Sequence, residues 1–435
     1  MIAPARRLGL FDLTMLATGA AIGSGVFRTP SEIASHVPSP AWALAVWALG
    51  GAATIAGALT FAELGAMMPR AGGMYAYLSE AYGDLVGFLQ GWAYLLVVAT
   101  GAIAALALVF AEYVAFFVPL DAVEQRALAL GALAVLAMVN IVGVRAAASM
   151  AGVMTALKLA ALAALVLFGM LAPAASSTPW TGGGVPSSSA VAAALIGVLW
   201  SYGGWQHATF AAAEARRPAR DVALGIVLAT ALVTLVYLAA NWTYFHLLPF
   251  ETIRASSKVA SDAAVVAVGR GGASFVAGAV ALSALGTVGV YTLTSPRVYW
   301  TMAERGLFFR GIGAIHPRFR TPARAIVLQT AWASVLVLFW GTFENLISYV
   351  LFVDWIFFGL TGAAVLILRR RLPNADRPYR VPFSPFVPLL FVGVAAWFVA
   401  STLWGQPRES LAGGGLLALG VPVFWAWDRR RQRKT

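Results

Sequence analysis

Gly23-Ser24-Gly25 stands inside the first long apolar stretch of this chain, and Gly203-Gly204 interrupts another roughly 180 residues later. In a bilayer an unpaired backbone N–H or C=O costs several kcal/mol. A spanning helix is therefore broken only where the freed groups line a cavity or a ligand. Two breaks at corresponding places in two halves are the best sign, in a sequence alone, of a solute site at mid-membrane depth.

Working outward, 60% of the 435 residues are hydrophobic, 11% are charged and the mean hydropathy is +0.80. Soluble domains carry about 25% charged residues, so a water-facing surface of ordinary extent is excluded. Apolar runs of about 20 residues, each long enough to cross the hydrocarbon core, recur along the whole chain. The first run lacks a small-residue cleavage pattern and reads as a retained helix, not a signal peptide. Cysteine is absent, which removes disulfides, thiolate metal sites and a partner held through a cysteine bridge. No cofactor is expected.

Twelve spans fit the pattern: 11–36, 41–67, 84–118, 126–143, 149–171, 190–213, 222–247, 274–300, 323–340, 345–368, 383–404 and 408–427. An even number puts both ends on one side. That side collects Arg6, Arg7, Arg70, Arg145, the cluster Arg216, Arg217 and Arg220, those of the loop after the eighth span, Arg369 to Arg371, and the tail Arg429 to Lys434. About 22 of the 30 Lys and Arg residues lie there and about 6 opposite, which makes both termini cytoplasmic. The net charge of +12 thus orients the chain in a membrane and does not imply nucleic acid. Two five-span units, 11–171 and 190–368, begin on opposite sides, so a repeat between them is inverted; 383–427 adds two more spans.

The string Gly23-Ser24-Gly25-Val26-Phe27 resembles the first-helix signature of amino acid permeases of the amino acid–polyamine–organocation superfamily. Glu63-Leu64-Gly65, Pro69, Gly72-Gly73, Tyr75, Tyr77, Ala81-Tyr82-Gly83, Gly87-Phe88 and Gly91-Trp92 are similar to its most specific stretch. Tyr202-Gly203-Gly204-Trp205 with Phe210, Glu214 and Pro218, then His316-Pro317 and Thr321-Pro322, resemble the L-type amino acid transporter branch. The resemblance, from about residue 8 to 380, implies an all-α LeuT-type 5+5 inverted repeat with the first and sixth helices broken. It also implies movement of amino acids across the plasma membrane, usually by sodium-independent exchange or facilitated transport; proton-coupled relatives leave the coupling open.

Free N–H groups at one half-helix end suit a carboxylate, and free carbonyls at the other suit an ammonium, so a zwitterion needs no charged side chain. The bland alternative is that the glycines only allow close packing. By position in the two motifs, Ala20, Ala21, Gly23, Ser24 and Gly25 line the site from the first span, and Trp200, Ser201 and Gly203 from the sixth. The resemblance makes Trp200 a lid over substrate. It gives Tyr237 a site-shaping place, and it lets the Lys158 ammonium replace a cation by binding carbonyls of the broken first helix. As a mid-span charge costing about 2.5–3.5 kcal/mol, Lys158 is a functional candidate in its own right.

Asp354 and Arg28 are intramembrane charges of opposite sign, and they are expected to approach as an external gate or to meet water in the vestibule. Gln206 and His207 follow the second break; Asn241 reads as an interhelical hydrogen bonder. Arg297 reads as a snorkelling side chain. Glu63 and Glu214 should orient cytoplasmic loops through nearby arginines. No acid is expected inside the site, which favours neutral substrates. An amino acid sensor is disfavoured because no soluble signalling domain is present. Enzyme and channel readings lack converging catalytic groups and symmetric filter loops.

Overall fold

Leu10–Ala21 and Gly25–His36 are two helices rather than one, meeting at a bend of 44°. The computed structural model describes residues 6–173, 179–339, 343–405 and 407–432. Arg433 and Lys434 of the basic tail, residues 174–178 of an external loop and residue 340 at the end of the ninth expected span lie outside the described residues. Among the described residues nine helices are long and apolar enough to cross a membrane, and the bent pair makes ten. The expected sixth and ninth spans correspond to the shorter helices Ser188–Ser201 and Ala323–Phe339. Fourteen residues at 1.5 Å each reach only about 21 Å, short of a hydrocarbon core about 30 Å thick. The chain is thus an all-helical membrane protein.

Burial sorts the helices into a centre and a shell. In Asp84–Val114, 78% of the apolar window is buried, against 28% in Ala122–Val142, Val144–Leu171 and Phe386–Gly405. The outer helices turn Met138, Val153, Leu157, Leu167 and Leu390 to the exterior, as a lipid-facing surface requires. The central helix is interrupted by one π-turn, Tyr94–Val98, whose loosened ladder leaves the Leu95 carbonyl to accept from the Thr100 hydroxyl at 2.7 Å. Such turns concentrate at functional sites, and this one brings Val98 to the wall of the central cavity.

The two faces are tied differently. On the arginine-rich side the segment before the first helix pairs with the end of the sixth-span region. The Arg7 and Leu8 N–H groups donate to the Glu214 carbonyl at 2.8 and 2.9 Å, and the Arg216 N–H returns a bond to the Leu8 carbonyl at 2.8 Å. Glu63, fully buried, accepts from Arg369 at 2.8 and 2.6 Å and from the Val381 N–H at 2.7 Å. Arg297 does not snorkel. It is 3% exposed and donates twice to Glu214, at 3.0 and 2.9 Å, because a buried guanidinium is tolerated only when a carboxylate meets it. Opposite, the loop between the seventh and eighth expected spans forms two short helices, Phe250–Ala255 and Val259–Val268. Arg254 donates from there to the Ala34 and Val37 carbonyls at 2.8 and 2.7 Å, capping the end of Gly25–His36.

Candidate functional site

The two breaks touch. Gly204 has φ +110°, and a Cβ there would stand 2.5 Å from the Ala20 carbonyl oxygen and 2.6 Å from its carbon. At Gly25 a Cβ would stand 2.5 Å from the Ser201 Oγ and 2.9 Å from its Cα. These two glycines let backbone cross backbone, so close packing accounts for them. Gly23 is different: a Cβ there would meet nothing nearer than the Leu106 Cδ2 at 3.6 Å.

A cavity of about 50 Å³ lies where the breaks meet. Ala20, Ala21, Gly23, Ser24 and Gly25 line it from the first break, and Trp200, Ser201, Gly203 and Gly204 from the second. Val98, Ala102 and Leu106 close one side; Thr287 and Tyr291 another; Leu351, Asp354, Trp355 and Phe358 the third. On this measure one water needs about 10–15 Å³, so the space suits a solute of a few heavy atoms. The N–H groups that open Gly25–His36 are the helix end a carboxylate would meet; of the carbonyls that end Leu10–Ala21, those of Gly19 and Ala21 already accept from Lys158 and Tyr237, so only part of that end is open to an ammonium.

Tyr237 is not in the cavity wall. Its hydroxyl lies 3.0 Å from the Ala21 carbonyl and 2.9 Å from the Ser201 carbonyl, bracing one break against the other from behind. Trp47 and Tyr202 pack on its ring at 5.4 and 5.1 Å between centroids, which fixes that pose. Asn241 donates to the Tyr237 carbonyl at 2.9 Å, a bond within its own helix and not between helices.

Lys158 reaches the first break from the helix Val144–Leu171. Its ammonium donates to the Gly19 carbonyl at 3.0 Å, the Ile22 carbonyl at 2.7 Å, the Ser283 carbonyl at 3.1 Å and the Thr287 hydroxyl at 3.1 Å. It is completely buried, and carbonyl dipoles rather than a carboxylate surround the charge. Ser283 also donates toward the Ile22 and Gly23 carbonyls, at 3.0 and 2.8 Å, and Thr287 lies 2.8 Å from the Gly19 carbonyl. Sequence reasoning passed over Ser283 and Thr287. Their signal was there, since Ser283, Thr287 and Tyr291 recur at intervals of four on one face of the helix Gly271–Thr294.

The two expected gate charges do not meet. Arg28 donates to both Glu112 oxygens, at 2.7 and 2.5 Å, because Glu112 projects toward it from the neighbouring helix Ala99–Val114. Asp354 instead lines the cavity, which overturns the expectation of a site free of acids. Gln206 accepts from the Gly204 N–H at 3.0 Å, so its carbonyl serves the turn itself. His207 lies 3.1 Å from the Tyr94 hydroxyl and 2.5 Å from the Thr294 hydroxyl, with its ring 3.9 Å from that of Tyr291. It is a fully buried bracket behind the cavity.

A lipid-facing helical shell around a broken helix, with a small central cavity at the break, defines a polytopic membrane protein. Comparison with known proteins gives the family: residues 8–415 match the amino acid permease model, and the chain belongs to that family, within the amino acid–polyamine–organocation superfamily. It is similar to the serine/threonine exchanger SteT of Bacillus subtilis, at 29% identity over 98% of each chain. It is similar to the large neutral amino acids transporter small subunit 2 of Mus musculus, at 31% identity over 98% of this chain and 81% of that one. The Asc-type amino acid transporter 1 of Mus musculus is 30% identical over the same shares. The protein is an amino acid transporter and not an enzyme, and its multi-pass helices are those of an amino acid permease.

Proposed function

We propose that this chain exchanges small neutral L-amino acids across the plasma membrane by alternating access, without sodium. The observation that carries this reading is the meeting of two helix breaks around one cavity. The first break presents the N–H groups that open Gly25–His36 for a carboxylate and carbonyls at the end of Leu10–Ala21 for an ammonium, with the second break closing over them. The cavity's small volume favours small substrates. Lys158 stands as a built-in cation on the carbonyls of the first break, which removes the need for a sodium ion there. In this reading the helices make twelve spans, with 11–171 and 190–368 as inverted five-helix units. Trp200 acts as the lid, and Arg28 with Glu112 forms the outer gating pair.

Exchange is supported by a relative that carries that activity in its name, the serine/threonine exchanger. That relative's bacterial source and the loop economy favour the inner membrane of a bacterium, with both termini cytoplasmic. The animal relatives named as small subunits imply a companion subunit; without cysteine this chain forms no disulfide-linked pair and works alone.

Reconstitution of the purified protein into liposomes tests the coupling. Labelled serine or alanine is expected to enter about tenfold faster when unlabelled amino acid is preloaded inside. Equal uptake into empty liposomes that rises with an inward proton gradient would instead establish proton symport, a second reading favoured by the carboxylate of Asp354 in the cavity.

A further inference from the structure

Across the cavity from the two breaks, the helix Phe343–Arg371 presents Asp354 between Leu351 and Phe358. Among the described residues the Asp354 carboxylate has neither a hydrogen-bond donor nor an ion-pair partner. The cations that could have served it are committed elsewhere. Arg28 holds Glu112, and Lys158 holds the carbonyls of Gly19, Ile22 and Ser283. Tyr291, on the adjoining wall, likewise has no bonded partner for its hydroxyl among the described residues. The other residues lining that side are Leu351, Trp355 and Phe358, with Trp200 lining the cavity from the second break.

The half-buried Asp354 carboxylate is open to water in this state, so a substrate that displaces that water has to bring it a donor or leave it bare at a cost of several kcal/mol. On the reading proposed above, on which this inference rests, the substrate's ammonium is taken by the carbonyls at the breaks. What remains to face Asp354 is the substrate side chain. With so little volume, only the first atoms of that side chain reach across, so the donor has to sit on the β-carbon.

We propose that Asp354 is a specificity-determining residue that accepts a hydrogen bond from a hydroxyl or amino group on the β-carbon of a small amino acid, with Tyr291 flanking the same group. Serine, threonine and 2,3-diaminopropionate have that chemistry; alanine and valine do not. A site built around a substrate donor discriminates strongly against the analogue that lacks it, because its own buried acceptor is then left unpaired.

Equilibrium binding to the full chain purified in detergent tests this with near-isosteric pairs. Threonine is expected to bind about 10- to 100-fold tighter than valine, and serine similarly tighter than alanine. Asp354→Ala should bring the threonine-to-valine ratio to within about threefold, while Asp354→Asn, whose amide oxygen still accepts, keeps an intermediate ratio. A ratio near one in the parent protein, or one unchanged in Asp354→Ala, overturns the proposal. An Asp354→Ala variant that keeps the ratio in binding but, reconstituted into liposomes, no longer responds to a proton gradient makes the carboxylate a proton site and overturns it too. Failure of the parent reading looks different: no amino acid then binds with measurable affinity, whatever stands at position 354.

Discussion

Lys158→Met is expected to lower uptake about 100-fold per folded molecule. The ammonium donates to three carbonyls and one hydroxyl, two of the carbonyls belonging to the broken first helix. Methionine fills much of the same volume but donates nothing. Hydrogen bonds from a charged group are worth about 1.5–3 kcal/mol each. Part of the loss is offset in place, because the Ser283 and Thr287 hydroxyls still reach the Ile22, Gly23 and Gly19 carbonyls. A net loss of about 3 kcal/mol in the organisation of the break corresponds to about 100-fold in rate at roughly 1.4 kcal/mol per tenfold. Initial rates in liposomes, normalised to correctly folded protein, measure it. Wild-type rates in Lys158→Met would reduce the residue to a packing element.

Gly204→Ala should be severely damaging for a change of one methyl group. The added Cβ would stand 2.5 Å from the Ala20 carbonyl oxygen, and the backbone at φ +110° is one that L side chains avoid. Strain of that conformation costs about 1–3 kcal/mol. The clash is with backbone, which no rotamer change relieves, so the two breaks have to separate. We expect a lower thermal midpoint and loss of amino acid binding together. Gly23→Ala is the matched control for stability, since a Cβ there meets only ordinary contact at 3.6 Å, and its thermal midpoint should stay close to that of the parent. Equal destabilisation in the two variants would show that the breaks are not held against each other as described.

The contrast between those two glycines shows what could and could not be read in advance. The positions of the breaks, and the facing of Gly23-Ser24-Gly25 toward Trp200, Ser201 and Gly203, follow from local rules about interrupted membrane helices. The partners of Lys158 among the first-helix carbonyls were implied by the resemblance. What stayed hidden depends on how each helix is rotated about its axis. Arg28 chose Glu112 over Asp354, and Arg297 turned inward to Glu214, because neighbouring helices happened to present carboxylates there. Asp354 faces the cavity and not an outer vestibule for the same reason. In helices that are apolar all round, periodicity carries little information about which side is inward. Ser283, Thr287 and Tyr291 were the exception, a polar line at spacing four that pointed to the site and went unread.

Central to the proposed function is a zwitterion held in the space where the two breaks meet. Ser24→Trp tests it most directly, because an indole at Ser24 would occupy a cavity of only about 50 Å³ without touching the ties at either face. Calorimetric titration of the purified, folded variant with a panel of amino acids should show no binding, with a thermal midpoint lowered by overpacking but still a cooperative transition. Binding at parental affinity in Ser24→Trp would contradict the account and place the site elsewhere.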